Sequence, residues 1–128
     1  MINAQEWLDK KYPKDKRKYI TEVLLEEGLE GDLDLSDFEN LVSLSSAKNC
    51  PKNGITSLNL SKNPYLCFVD LYNNKLTTID TSNNPHLIRL FVGDNKLTSL
   101  DVSKNPNLIE LRCNNNQIME LNLSKNKI

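Results

Sequence analysis

Few residues in this chain could do covalent chemistry, and none is spaced to do it. The single histidine, His86, follows Pro85, at a place held by Tyr65 and Asn107 at 21 residues to either side. A general base needs a nucleophile beside it and a group that orients it. With one histidine, no Ser/His/Asp or Cys/His arrangement can be tied to a pocket, so His86 reads as a tolerated surface residue. Cys50, Cys67 and Cys113 form no CxxC pair and no metal-ligand cluster. Cys113 falls where Leu71 and Val92 stand in neighbouring segments, and reads as a small buried hydrophobe. Cys67 aligns with Ile88 and Ile109, which predicts packing near an edge and not an activated thiol. An odd cysteine count without a framework suits a reducing compartment, hence a cytoplasmic setting. A mature secreted form is the alternative.

The remaining chemical motifs are weaker. Asp32, Asp34 and Asp37 alternate like calcium ligands, but lack the Gly and terminal Glu of a helix-loop-helix calcium site. A solvated strand face is the expectation. Gly31-Asp32 and Gly93-Asp94 read as turn or bulge elements, and no glycine-rich phosphate loop is present. The run Lys10-Lys11, Lys14, Lys16-Arg17-Lys18 is diluted by Asp9 and Asp15 and reads as a solvated lead-in. The sequons Asn59-Leu-Ser61 and Asn122-Leu-Ser124 read as by-products of a periodic sequence. No catalytic residue, cofactor site or metal site is therefore expected.

Bulk properties narrow the partners. The 128 residues suit one domain, with 16 basic and 17 acidic residues and a net charge of -1. Without a basic stripe, nucleic-acid or anionic-membrane binding has no electrostatic support. The opening residues lack the order of a secretion signal, and no apolar run is long enough to span a bilayer.

What must position any functional residue is a repeat. Pro64, Pro85 and Pro106 stand 21 residues apart, as do Ile55, Leu76, Leu97 and Ile118, and as do Asn74, Asn95 and Asn116. Such a period marks stacked coils that bury their apolar edges against one another. Each unit has two halves. One reads Leu97-x-x-Leu100-x-Val102-x-x-Asn105-Pro106. The other reads Leu108-x-x-Leu111-x-Cys113-x-x-Asn116-x-Ile118. Alternating apolar residues predict a short strand with one buried face. Asn then marks a corner, where its amide both donates and accepts, so these side chains should form a ladder along the stack. Proline after Asn63, Asn84 and Asn105 ends strand pairing at the opposite corner.

The string L-x-x-L-x-[L/V/C]-x-x-N-x-[L/I], at residues 66–76, 87–97 and 108–118, resembles the defining segment of leucine-rich repeats. The other half, typified by Leu-Thr-Ser-Leu-Asp-Val-Ser-Lys-Asn-Pro, is similar to the 21-residue class of bacterial and some fungal repeat proteins. The resemblance implies an α/β repeat solenoid, mostly strands and turns with an N-terminal capping helix. It also implies that the varied strand stack lines the concave side, where ligands usually bind. The lead-in around Trp7–Pro13 and residues 29–38 is similar to that of fungal leucine-rich-repeat proteins.

The period extends backwards in weaker form. Leu33, Leu35 and Leu41 align with Leu58, Leu60 and Leu66 if four extra residues are placed in Cys50-Pro51-Lys52-Asn53-Gly54. Leu44 and Asn49 then take the places of Val69 and Asn74. Ile20, Val23 and Leu25 match Leu41, Leu44 and Ser46, which predicts a first strand over 20–25. A helix over 15–27 closed by Gly28 is the alternative. A helix at 4–11, capped by Asn3 and stopped by Pro13, could lay Trp7, Leu8 and Tyr12 over the first coil. The chain thus divides into a helical cap (1–19), degenerate first repeats (20–54) and regular 21-residue repeats (55–128), about five coils in all. No cover is evident at the C-terminal end. Either the chain is a fragment of a longer repeat protein, or a second copy closes that edge as a homodimer.

Outward positions separate the two halves. On the Asn-Pro half they are monotonous: Ser57, Thr78, Ser99; Asn59, Asp80, Asp101, Asn122; Ser61, Ser82, Ser103, Ser124. On the other they vary: Glu22, Ser43, Phe68, Arg89, Glu110; Leu24, Ser45, Asp70, Phe91, Arg112; Glu26, Ala47, Tyr72, Gly93, Asn114. A face that only needs to be soluble can repeat, whereas a face that recognises something should break pattern with aromatics and arginines. Phe68, Asp70, Tyr72, Arg89, Phe91, Glu110 and Arg112 are the predicted binding patch for a protein partner. The competing expectation is that the aromatics serve cross-strand packing and that Arg89 forms weak surface pairs with Asp70 or Glu110. Non-catalytic protein recognition is the expected function. The alternatives are a substrate-targeting segment of a larger kinase or ubiquitin ligase, or self-assembly through the C-terminal edge.

Overall fold

The computed structural model describes residues 1–46 and 52–128. In chain order the elements are β1 (Ile2–Asn3), α1 (Ala4–Lys11), a 3-10 helix (Lys14–Tyr19), β2 (Glu22–Leu25), β3 (Leu29–Asp34), β4 (Ser43–Ser46), β5 (Gly54–Asn59), β6 (Phe68–Asp70), β7 (Arg89–Phe91) and β8 (Glu110–Arg112). They form a parallel β-solenoid of about four turns. One face is a five-stranded parallel sheet in the order β2-β4-β6-β7-β8, and the other carries a three-stranded sheet, β1-β3-β5, continued by turns.

Register is the expected one. Val23, Leu44, Val69, Leu90 and Leu111 are successive partners across the five strands. Leu71 and Val92 are fully buried below them, with Cys113 next in the column and packed against the core. Each fully buried leucine or valine contributes about 1.5–3 kcal/mol relative to leaving it in water. The alternating burial of β2 settles the open choice at 15–27: the first strand of the five-stranded sheet begins at Glu22, and a 3-10 helix, not an α-helix, precedes it.

Two asparagine ladders hold the corners. Asn74, Asn95 and Asn116 each accept an N–H from the preceding coil, that of Ile55, Leu76 and Leu97, at 2.9–3.1 Å. Their Nδ2 groups donate to carbonyls such as those of Leu71 and Val92. At the start of the ladder it is Asn53 that accepts the Leu29 N–H, at 3.1 Å. Asn49, expected in that role, lies outside the described residues, as do Ala47 and Cys50. Asn53 therefore belongs to the repeat, 21 residues before Asn74, and not to an enlarged loop. Ahead of each of the later ladder positions, Asn73, Asp94 and Asn115 adopt positive φ, a conformation that Asn and Asp tolerate better than other side chains.

The second ladder is fully buried at Asn63, Asn84 and Asn105. Asn63, Asn84 and Asn105 donate to pairs of carbonyls one coil back: Leu35 and Phe38, Leu60 and Asn63, Thr81 and Asn84. Asn126 continues it onto Val102 and Asn105. Thr81 replaces the apolar residue of its column, and its hydroxyl donates to Asn105 Oδ1 at 2.8 Å.

The N-terminal end is closed as the sequence indicates. Asn3 caps α1 by accepting the Glu6 N–H at 2.9 Å. Leu8 is buried, and Trp7 and Tyr12 pack against the core. The basic run is not uniformly solvated, however. Arg17 is 2 % exposed. It donates to the Tyr12 carbonyl, pairs with Asp9 at 2.8 Å and Asp37 at 3.3 Å, and lies over the Phe38 ring. Phe38 occupies the place that asparagine takes in later coils, so Arg17 and Tyr12 cover the start of the buried ladder.

Candidate functional site

The site is built on three short strands. In β6, β7 and β8 the central residue points inward and its neighbours point outward, so a three-residue strand presents two side chains. Register places Phe68, Arg89 and Glu110 in one row, and Asp70, Phe91 and Arg112 in the next. Tyr72, Gly93 and Asn114 follow at the strand ends.

The predicted residues meet. The Phe68 and Phe91 rings are edge to face, with centroids 5.4 Å apart. The Arg112 guanidinium lies over the Phe91 ring at 4.3 Å. Glu110 bridges both arginines, accepting from Arg112 at 2.8 Å and lying 3.4 Å from Arg89 Nε. Of the two pairings expected for Arg89, the structure makes the one with Glu110. Asp70 accepts the Tyr72 N–H at 3.2 Å and has no cationic partner among the described residues. The Tyr72 hydroxyl donates to Asp94, and this hydrogen bond, then the Asp94 charge, raises the phenol pKa from its usual value.

Asp70, Tyr72, Phe91, Gly93, Arg112 and Asn114 line an open depression of about 420 Å³. Within the Gly93-Asp94 turn, Asp94 takes the positive φ. Gly93 instead clears space: a Cβ there would stand 2.7 Å from Asn114 Oδ1 and 3.3 Å from the Tyr72 ring. The sequence signal for this was available, since glycine stands opposite two larger residues in its column.

Residues of the Asn-Pro side have a role that monotony concealed. The side-chain oxygens of Asp34, Asn59, Asp80, Asp101 and Asn122 accept the N–H of the serine two residues on, at 2.9–3.1 Å. Ser61 and Ser82 hydroxyls add bonds of 2.6 Å. Both sequons are instances of this turn. The same turn lowers the Asp80 and Asp101 pKa values, chiefly through the serine hydroxyls, then through the serine N–H groups. Asp32 accepts from Ser57 and Thr56, and Asp37 pairs with Arg17, so the three early aspartates serve separate structural ends.

Among the remaining expected residues, Cys113 is half-buried, and burial pushes its thiol pKa up. The column of Cys67 is more open than expected. Ile88 and Ile109 are 38 % and 50 % exposed, because this column lies just outside the strands. Cys67 is half-buried and its thiol donates to the Tyr65 carbonyl at 3.3 Å. His86 is exposed and stacks on Tyr65, with centroids 6.4 Å apart. Among the described residues, no helix is long and apolar enough to cross a membrane.

No family model matches the sequence, and no curated protein matches it. Solved structures do. The chain is similar to an internalin, InlF, from Listeria monocytogenes str. 4b F2365, with 20% identity over 77% of this chain and 36% of that one, and a TM-score of 0.54. That likeness shows the fold. The solenoid is of the leucine-rich-repeat type. The functional domain of InlJ from Listeria monocytogenes, described as including a cysteine ladder, matches with 28% identity over 83% of this chain and 32% of that one, at a TM-score of 0.48. The chain spans about a third of the length of each.

Proposed function

We propose that the outward face of β6, β7 and β8 is a non-catalytic surface for recognising another protein. One observation carries this. Phe68, Arg89, Phe91, Glu110 and Arg112 hold one another, as an aromatic pair, a guanidinium over a ring and a shared carboxylate, and of the outward residues on these strands only Asp70 closes on a backbone N–H. On the Asn-Pro side, the corresponding polar groups are committed to backbone turns. Aromatic and arginine side chains grouped around a depression are the residue types that dominate binding energy at protein interfaces. In leucine-rich-repeat proteins the equivalent strand stack forms the concave, ligand-bearing side.

A capture experiment tests the proposal. The intact chain and a Phe91→Ala/Arg112→Ala variant are immobilised and exposed to extract of the source cell. Proteins retained by the intact chain and lost from the variant, with the variant's unfolding midpoint near that of the intact chain, support it. Identical retention by both removes it.

A further inference from the structure

We infer that this face selects a peptide segment of mixed charge, in which an apolar or aromatic residue is flanked by one basic and one acidic side chain. The inference rests on the recognition reading above and specifies its partner. Its basis is the row Asp70, Phe91, Arg112, which are register partners on three adjacent strands.

Each member offers something different. Asp70 is a half-buried carboxylate that accepts one backbone N–H and has no counter-ion among the described residues. Such a group favours a cation brought to it from outside. At the other end, the Arg112 guanidinium spends one N–H on Glu110 and makes no other hydrogen bond among the described residues. A guanidinium has five N–H donors, so most of its capacity to grip a carboxylate is unspent. Glu110 does not cancel that charge. It is shared with Arg89, and two guanidiniums against one carboxylate leave one positive charge at this end. Between the two ends lies the Phe91 ring, beside the bare backbone of Gly93.

The spacing fits an extended segment. Strands in a sheet lie about 4.8 Å apart, so Asp70 and Arg112 are separated by about 9–10 Å at the backbone. In an extended peptide, residues i, i+2 and i+4 share one face and span about 13 Å, within reach once long charged side chains lean inward. A peptide with two basic ends would place one of them on Arg112. A peptide with two acidic ends would place one on Asp70. Like charges so placed oppose binding, which gives selectivity as well as attraction.

Three N-acetylated, C-amidated peptides test this: Arg-Ala-Trp-Ala-Glu, Arg-Ala-Trp-Ala-Arg and Glu-Ala-Trp-Ala-Glu. Each is titrated into the isotopically labelled chain at low salt, with the Gly93 and Asn114 amide resonances as the readout. The mixed-charge peptide is expected to shift these resonances and to bind at least threefold more tightly than either control. Asp70→Asn should abolish its advantage over the acidic peptide, and Arg112→Gln its advantage over the basic one. Equal affinity for all three peptides on this face would overturn the charge selection and leave the recognition surface standing. No shift on this face with any of the three would remove both.

Discussion

On the Asn-Pro side of the solenoid, the repeating outward side chains are at work holding the chain in shape. Asn59, Asp80, Asp101 and Asn122 each fold back to bind the N–H of a following serine, and the buried asparagines behind them tie one coil to the next. On the five-stranded side, the outward residues of β6, β7 and β8 hold mainly one another. The repetition of the first side reflects a mechanical requirement renewed at every coil. The variation of the second marks positions that the fold leaves open, and there an aromatic, a guanidinium and a carboxylate with no cationic partner among the described residues have been placed in one row.

This contrast is open to direct attack. The largest effect should come from Asn84→Ala, which deletes two buried hydrogen bonds and leaves a small void; urea unfolding should show a loss of about 3 kcal/mol. Arg17→Ala should cost less, about 2 kcal/mol, because the Asp9 and Asp37 carboxylates it leaves behind reach solvent. Amide exchange should then rise first in α1 and β1.

The turns themselves respond to acid. Asp80 and Asp101 have folded pKa values below the ordinary 3.8, so the unfolded chain binds their protons first as pH falls. Their stabilisation is complete above 3.8 and is lost as pH drops through the lowered values. An Asp80→Asn/Asp101→Asn variant keeps the turn, as Asn59 does, and should lose less stability between about pH 4 and pH 2 than the intact chain. Asp9 and Glu26, also lowered, keep part of the acid response in both proteins. The smallest stability effect should come from Gly93→Ala. The new Cβ displaces the exposed Asn114 side chain, at a cost below about 1 kcal/mol. Because it encroaches on the depression, it should weaken partner binding while the unfolding midpoint barely moves.

Much of this was readable from the residues in order. The apolar period gave the register, and the break in pattern gave Phe68, Phe91, Arg89, Glu110 and Arg112 as neighbours. What escaped was what spacing alone does not encode. A four-residue insertion can be placed at several points with equal apolar agreement, so spacing alone does not single out Asn53 as the residue that accepts the Leu29 N–H. Arg17 looked like one member of a basic run, and its burial depends on Asp37 arriving from another coil. Serine and aspartate at fixed spacing look inert on a surface until the turn they close is seen. The Gly93-Asp94 pair is legible as a turn, but the close approach of Asn114 that requires glycine at position 93 is not.

The central claim is that the β6–β8 row is not needed to hold the solenoid together. The direct measurement is the urea unfolding free energy of Phe91→Ala/Arg112→Ala set beside that of Asn84→Ala. The rings are only half-buried and the guanidinium over Phe91 is exposed and screened, so the double variant should lose about 1 kcal/mol, less than half the loss at Asn84. A loss as large as that of Asn84→Ala would mean the row is a structural clamp, and its reading as a recognition surface would fail.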